Sequence, residues 1–526
     1  MRVVGSPVRV GDPARTLDSS PVTDADSPTA PGTPLRLVDV QAAVSAELDR
    51  IGPVLDELGA LFADAGHELA LVGGPVRDAM LGRRSNDLDF TTSARPEQTD
   101  KLLRAWGDAW WDMGRDFGTI GCRKGDWVVE VTTYRSEAYE RDSRKPEVQY
   151  GDSLAGDLGR RDFTVNAMAV RVPGNEIEDP YGGVMDLAHK VLRTPGTPEQ
   201  SFSDDPLRMM RAARFAAQLG FTVAPEVVAA MTEMAERIEI ISAERVRDEL
   251  VKLVCAPYPR LGLTLLVETG LADRVLPELP ALKLERDEHH RHKDVYEHTL
   301  TVLEQAIDLE PRLAERAGIE APDFVSRFAA LMHDVGKPRT RRFVDDGTVT
   351  FHHHDVVGAK LTRKRMKALK FSNDEVDAVG SLVELHLRFH GYGSGEWTDS
   401  AVRRYVRDAG DQLERLHVLT RADCTTRNKR KADRLRRTYD DLEARIDRLS
   451  AEEELKAIRP DLDGNQIMEI LGIPPGREVG EAYKFLLELR LDNGPMSEED
   501  ATAALEEWWA GRGGAPPGGG GGGGSR

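Results

Sequence analysis

Leu69-Ala70-Leu71-Val72 is a short apolar run of the kind that fills a buried strand, and Gly73-Gly74 free the backbone ahead of a helix expected from Pro75. Downstream, Asp87, Asp89 and Thr91 alternate with Leu88 and Phe90. At the two-residue period of a strand this puts both carboxylates on one face. Trp127-Val128-Val129-Glu130-Val131-Thr132 reads as another strand. Over 203–221 the period lengthens to that of a helix, with Asp205 as N-cap and Pro206 at the first helical position. Leu207, Met210, Arg211, Arg214 and Phe215 then build an amphipathic face whose arginines, Arg214 in particular, are expected to snorkel. A further apolar helix, Phe328-Ala329-Ala330-Leu331-Met332, ends at His333-Asp334. No repeat of 20–50 residues is evident.

The Gly-Gly turn can aim bare N–H groups at phosphate oxygens, and two hard anions on one strand face can hold Mg²⁺. An Asp-x-Asp pair alone is more often a solvated strand end, and Gly-Gly alone more often a plain turn. Their order and spacing reverse that preference. No third glycine follows at the dinucleotide-fingerprint spacing and no Gly-Lys-Ser/Thr is present, which excludes the Rossmann and P-loop readings. The unit therefore reads as a nucleotidyl-transfer site in which Gly73, Gly74 and Arg77 face phosphates and Asp87 and Asp89 hold metal. Glu130 ranks below them as the third acid.

The second half of the chain is chemically different, since eleven of the thirteen histidines follow residue 280. His298, His333-Asp334 and the distant Asp423 lie in helical stretches, with His354 and His386 as further imidazoles. Mixed imidazole and carboxylate donors suit Mn²⁺, Co²⁺, Ni²⁺ or Fe better than Ca²⁺. His289, His290, His292, His352 and His353 read as solvated loop residues.

Taken in order, these blocks resemble the bacterial class II CCA-adding tRNA nucleotidyltransferases and the related poly(A) polymerases, and the His-Asp set resembles the HD phosphohydrolases. The likeness covers roughly 53–436. Arg160-Arg161-Asp162-Phe163-Thr164-Val165-Asn166-Ala167 is similar to the family's ribose and triphosphate motif, which implies that Asp162 and Asn166 read sugar hydroxyls beside Arg161. Asp179-Pro180-Tyr181-Gly182-Gly183 resembles its hinge motif. Asp204-Asp205-Pro206-Leu207-Arg208 resembles its base-template motif, which usually begins with Glu; Arg211 follows on the same helix. A carboxylate at Asp205 accepts from the exocyclic amine of cytosine or adenine while the Arg208 guanidinium donates to the adjacent ring nitrogen. Guanine and uracil would leave both unpaired, at roughly 1–3 kcal/mol per buried group. Glu244-Arg245-Val246-Arg247-Asp248-Glu249 resembles the motif that braces this helix.

The resemblance implies an α+β multidomain protein: a DNA polymerase β-like nucleotidyltransferase α/β head followed by all-α neck, HD and tail domains. Boundaries fall at 1–34 (disordered extension), 35–193 (head), 194–282 (neck), 283–445 (HD), 446–512 (helical tail) and 513–526 (Gly-rich disordered tail). It further implies addition of CCA to tRNA 3′ ends from CTP and ATP with Mg²⁺, and possible phosphohydrolysis of RNA-end phosphates at the HD centre. Gly114-Arg115-Asp116-Phe117-Gly118 and the polar loop Arg141-Asp142-Ser143-Arg144-Lys145-Pro146 favour full CCA synthesis. The alternatives are a poly(A) polymerase, an HD phosphohydrolase with an RNA-binding head, and a non-catalytic tRNA-binding protein.

At 526 residues the chain is long enough for about three domains. No apolar run approaches the roughly 18 residues a membrane span needs, and Met1 onward lacks an apolar signal core, so a cytoplasmic protein without membrane or obligate protein partner is expected. Cys122, Cys255 and Cys424 are too widely spaced for a zinc or disulfide pattern. A net charge of −19 runs against binding RNA through phosphate contacts. Two local basic stretches, Lys360/Arg363/Lys364/Arg365/Lys367/Lys370 and Arg427/Lys429/Arg430/Lys431/Arg434/Arg436/Arg437, are the candidates for an RNA-facing side.

Overall fold

The 69–72 run forms strand β1 (Leu69–Val72), buried at all four residues. It sits inside a seven-stranded mixed sheet with β2 (Asp87–Thr92), β3 (Ala109–Trp111), β4 (Thr119–Lys124) and β5 (Trp127–Thr133). A separate hairpin, β6 (Arg135–Ala138) with β7 (Glu147–Tyr150), precedes the last two strands of the sheet, β8 (Ala169–Val172) and β9 (Ile177–Glu178). The strand order is β3-β4-β5-β2-β1-β8-β9, and β2 with β5 is the parallel pair. The computed structural model describes residues 34–138, 147–151, 153–283, 294–344, 349–392, 397–424, 429–453 and 459–512. The expected terminal extensions, the loop 141–146, His289, His290, His292 and Arg427 lie outside the described residues.

Alternation along β2 does what its pattern dictates. Leu88 and Phe90 are buried with Val129 and Val131 of β5, and Asp87, Asp89 and Glu130 emerge on the opposite face. The 28-residue helix Leu37–Asp64 covers the apolar face with Val44, Ile51, Leu55, Leu58 and Phe62. It approaches β8 so closely at Gly59 that a Cβ would lie 2.6 Å from Val172 Cγ1.

Helices Pro198–Asp204, Leu207–Leu219, Pro225–Met234, Ala243–Val254 and Pro259–Glu268 follow the head. Helices Val295–Asp308, Phe324–Met332, His354–Ala368, Asn373–Leu385 and Leu413–Ala422 then surround the histidine cluster. One continuous hydrophobic core runs from Val40 to Leu449, so head, neck and histidine-bearing region share an interior. The last helices, Gly464–Leu471, Arg477–Asn493 and Glu498–Gly511, pack a core of their own around Leu462, Ile467, Leu486 and Leu505. The expected boundary at 445/446 falls inside the unbroken helix Lys429–Glu453. Its charged sequence carries no helix breaker there, and the change of core comes after it. No described helix is long and apolar enough to cross a membrane.

A buried ion pair of the histidine region also reaches the neck through its arginine. Arg327 donates twice to Glu310, at 2.6 and 2.7 Å, and its remaining Nη1 donates to the carbonyls of Val254 and Ala256. Removing one partner leaves a buried charge unpaired, which costs roughly 3–5 kcal/mol. Arg327→Met should therefore lower the calorimetric unfolding midpoint markedly, and the double change Arg327→Met/Glu310→Leu should recover most of the loss. Additive losses would show that the pair is not a coupled unit.

Candidate functional site

Between head and neck lies an open cavity of about 540 Å³, lined by β1–β2, the 160–166 segment and the helix Leu207–Leu219. Gly73 sits at its rim with φ +72°, a backbone region that favours glycine, and a Cβ there would stand 2.8 Å from Arg161 Nη1. Both the turn and the approach of Arg161 thus require glycine. Arg161 is anchored by Asp157 at 3.3 Å, while its buried Nε has no partner. Asp157 is itself buried and held below the ordinary carboxylate range: burial opposes ionisation, but Arg161 and Arg160 outweigh it.

Asp89 pairs in register with Glu130 across the parallel β2–β5 contact, so their side chains share a face, two residues along from Asp87. Partial desolvation by the surrounding cavity wall and the like charges of Glu130 and Asp87 raise the Asp89 carboxyl above its ordinary value, with Arg161 opposing. None of the three carboxylates makes an ion pair among the described residues. Clustered, unpaired oxygen anions of this kind fit a hard divalent cation.

Asp162 is buried and joins the two domains. Its Oδ1 accepts from the Phe163 N–H and Asn166 Nδ2, and its Oδ2 from Arg211 Nε and Nη2 at 2.8 and 2.5 Å. Burial disfavours its charge, yet Arg211, Asn166 and Arg208 hold its pKa down to about 2. Arg77 donates to Asn166 Oδ1 at 2.7 Å and grips Asp78 through Nε and Nη2. Phe215 stands beneath the guanidinium groups of Arg77, Arg211 and Arg214, with Arg214 only 3.8 Å from the ring centre.

On the neck side, helix Leu207–Leu219 begins one residue later than the sequence suggests, with Pro206 as its cap residue. The Asp205 carboxylate still caps it, accepting from the Leu207 N–H at 3.0 Å, and its second oxygen accepts from Arg245 at 2.8 Å. Arg208 is buried and donates to Ser201 Oγ and the Arg160 carbonyl. Asp205 and Arg208 are therefore held by separate partners, each with an edge toward the cavity. Asp204 points elsewhere, accepting from Gln200.

A second centre lies in the helical half. Donor atoms of His298, His333 and Asp423 lie within 4.8 Å of one another, as do those of Asp334, His354 and His386. His333, His354 and His386 each turn Nδ1 onto the carbonyl three residues back, that of Ala330, Phe351 or Val383, at 2.7–2.8 Å. Their Nε2 atoms are left buried without a hydrogen-bond partner. Nδ1–H donated to a carbonyl with Nε2 turned inward is the tautomer a metal ligand needs. Burial and the neighbouring His333 push His386 down to about 4, keeping it neutral. Asp334 and Asp423 stay well below the ordinary carboxylate range; burial opposes this, but His333 and Lys337 hold down the first and His298 and His333 the second. Burial disfavours charge on His333, but the neighbouring Asp334 and Asp423 raise its pKa to about 10. The donor set fits a transition divalent ion.

Three segments match known domain families: the Poly A polymerase head domain at 69–193, the probable RNA and SrmB- binding site of polymerase A at 220–282, and the HD domain at 295–428. The A-adding tRNA nucleotidyltransferase of Deinococcus radiodurans is 34% identical over 427 residues, covering 80% of this chain and 91% of that protein. The chain belongs to the class II CCA-adding tRNA nucleotidyltransferase family. The CCA-adding enzyme of Levilactobacillus brevis is 43% identical over 226 residues, a match spanning 43% of this chain and 55% of that relative. The crystal structure of the Bacillus stearothermophilus CCA-adding enzyme in complex with CTP superposes with a TM-score of 0.57 at 25% identity, covering 88% of this chain and 98% of that one.

In this nucleotidyltransferase-family chain Gly73, Gly74, Arg77, Asp89, Arg161, Asp162, Asn166, Asp205, Arg208 and Arg211 line one cavity, Asp87 and Glu130 stand beside Asp89 on the sheet without lining it, and the HD residues form two groups of neighbouring donor atoms. Two readings change. Asp162 already fills its four lone-pair positions with protein donors, so a sugar hydroxyl would have to displace one of them. Arg214 does not snorkel: it is buried, donates to Glu249 at 2.5 Å and lines the cavity. The Arg208–Arg211–Arg214 spacing, three residues each, was the available signal, since it stacks three cations on one helix face. Arg135 and Arg245 also line the cavity, and the buried Asp157 holds Arg160, Arg161 and the Arg135 N–H; sequence reasoning singled out none of the three as site residues.

Asp162 has a folded pKa below its unfolded value, so its contribution to stability is present above about pH 4 and lost as pH falls toward 2. Asp162→Asn should destabilise the protein by about 2 kcal/mol near neutral pH. The gap to wild type should narrow in denaturant titrations as pH drops from 5 to 2; a constant gap would refute the ionised pair. At the HD centre, isothermal titration with Mn²⁺ should detect binding, and His333→Ala should weaken it by more than about ten-fold. A flat titration for the unaltered protein would exclude a metal centre.

Proposed function

We propose that this chain adds C, C and A to tRNA 3′ ends from CTP and ATP without a nucleic-acid template. The observation that carries the reading is the clustering of carboxylates without ion-pair partners on β2–β5 beside a cavity of about 540 Å³ whose lining includes Asp205 and Arg208. In this reading Gly73, Gly74 and Arg161 receive the triphosphate, the partnerless Nε of Arg161 supplying a donor that phosphate completes. Asn166 faces the ribose, keeping one amide hydrogen and one lone pair after its bonds to Asp162 and Arg77. Asp162 positions Asn166 and Arg211. Asp205 accepts from the amino group shared by cytosine and adenine, Arg208 donates to the ring nitrogen, and Arg245 and Ser201 fix the two side chains.

Asp87 and Asp89 would hold Mg²⁺, with Glu130 beside them; when bound, such ions neutralise charge on the transferring phosphoryl group and favour ionisation of the attacking hydroxyl. The RNA 3′-hydroxyl gives up its proton to solvent, its oxygen bonds to the α-phosphorus, the bond from that phosphorus to the oxygen bridging to the β-phosphate breaks, and pyrophosphate leaves with the electron pair. At the HD centre the six residues His298, His333, Asp334, His354, His386 and Asp423 would hold one or two transition ions suited to phosphate-ester hydrolysis.

Addition of A alone is the second reading, favoured because the Deinococcus radiodurans relative, matched over most of its length, is A-adding. The retained stretch between Arg135 and Asp157 supports the first. Purified protein should extend tRNA ending at the position before CCA with labelled CTP and then ATP. Extension confined to ATP on tRNA already ending in CC would select A addition, and a long A tail on generic RNA would select a poly(A) polymerase. Asp87→Ala/Asp89→Ala should lower incorporation on the order of a thousand-fold, since metal stabilisation of phosphoryl transfer is worth several kcal/mol. Retention of activity would refute the site.

A further inference from the structure

Across the functional face of the sheet, Asp89 stands beside Glu130, Glu130 beside Gly121 of β4, and Gly121 beside Trp111 of β3. Residues opposite one another in neighbouring strands share a face, so this row runs straight outward from the carboxylates. At Gly121 there is no side chain, and the Trp111 indole occupies the vacancy: a Cβ there would lie 2.1 Å from its Nε1 and 2.2 Å from Cε2. The indole is half-buried, and among the described residues it makes no hydrogen bond and stacks on no ring. A flat aromatic surface is thus presented two strands from Asp89, about 10 Å away at ordinary strand spacing.

Position in the sheet decides what this surface meets. Gly73 and Arg161, at the β1 side of Asp87 and Asp89, border the triphosphate side, and Asp205 and Arg208 lie beyond them in the same cavity. Trp111 is on the opposite flank. In an in-line displacement the attacking group enters opposite the leaving pyrophosphate. Cations accompany the aromatic surface: Arg123, two residues from Gly121 and exposed, shares its face, and Arg135 donates to Thr119 Oγ1 at 3.1 Å and lines the cavity. Phe117, 54% exposed, and Met113, 88% exposed, lie on the turn that folds back against Thr119 at Gly114. Aromatic faces beside arginines bind single-stranded nucleic acid by base stacking and phosphate contact.

We propose that Trp111, seated over Gly121, is the stacking platform for the terminal base of the RNA strand that is extended, with Arg123 and Arg135 on its phosphates. This deepens the nucleotidyl-transfer reading above and rests on it for the direction of attack. Trp111→Ala should raise the apparent KM for tRNA about ten-fold, with the KM for nucleoside triphosphate unchanged. Trp111→Phe should restore most of the affinity, and Gly121→Ala, which evicts the indole, should reproduce the defect. An RNA oligonucleotide carrying 2-aminopurine as its last base reads stacking without turnover: its fluorescence should be quenched by the unaltered protein and by Trp111→Phe, not by Trp111→Ala. A lower melting temperature in Trp111→Ala with unchanged KM and quenching would overturn the proposal, as would a rise in nucleotide KM in place of RNA KM. Quenching without any nucleotide incorporation by the unaltered protein would overturn the transfer reading and leave the platform standing.

Discussion

A single carboxylate, Asp162, fixes where the catalytic head ends and the neck begins. One of its oxygens is committed to the head, through the Phe163 N–H and Asn166, and the other to Arg211 of the neck helix. From Asn166 the chain of contacts continues to Arg77 and Asp78; from Arg211 it continues to Glu249, at 3.8 Å, which also holds Arg214. The shape of the cavity is therefore the shape of the interdomain contact. Burying this many charges is costly, and it is tolerable because nearly every lone pair finds a donor in fixed geometry. Rigidity of that kind is what a protein surface needs if side chains, in place of a complementary strand, are to recognise a base edge.

The two candidate metal centres solve opposite problems. In the head, β2 and β5 bring carboxylates together on one face of the sheet, and the like charges of Glu130 and Asp87 raise Asp89 against the pull of Arg161. In the HD region the candidate ligands are enclosed by helices, and His333, His354 and His386 are each oriented by a backbone carbonyl of their own helix or turn. All-oxygen donors of the first kind suit a hard ion, and nitrogen donors in a fixed tautomer suit a softer one. One continuous hydrophobic core connects the regions that carry them.

Much of this was legible in the chain because the residues that carry it are local or repeat at a fixed period. The β2 alternation fixed which face Asp87 and Asp89 occupy, and the glycine pair marked a turn whose positive φ the structure bears out at Gly73. What escaped was set by contacts remote in sequence. Arg214 has the pattern of a snorkelling helix arginine, and only the approach of Glu249, 35 residues away, makes it a buried pair. Asp162 looks like a ligand for sugar until Arg211, 49 residues on, takes its second oxygen. Trp111 carries no motif at all; its place over Gly121 follows from strand pairing.

Remote contacts also explain how a chain with a net charge of −19 keeps cationic surface. Its arginines are largely spent on the protein itself. In the helix His354–Ala368, Arg363 pairs with Glu384 and Arg365 with Glu278, while Lys360, Lys364 and Lys367 are exposed along the face opposite the buried His354, Thr362 and Met366. The planar guanidinium makes bidentate, directional bonds and serves as a structural cross-link; the ammonium, strongly hydrated and flexible, remains in solvent. Net charge counts both populations alike, although only the second contributes an uncompensated field at the surface. On this helix the division follows helical period: the side facing neighbouring acids carries arginine, and the solvent side carries lysine. The basic start of the helix Lys429–Glu453 departs from that rule, because Arg430, Arg434 and Arg437 are exposed there near the positive end of the helix dipole. Cations at a helix N-terminus raise the local potential where folding alone would favour acids, so helix stability does not account for the arginines at this end of the helix, six residues beyond Asp423.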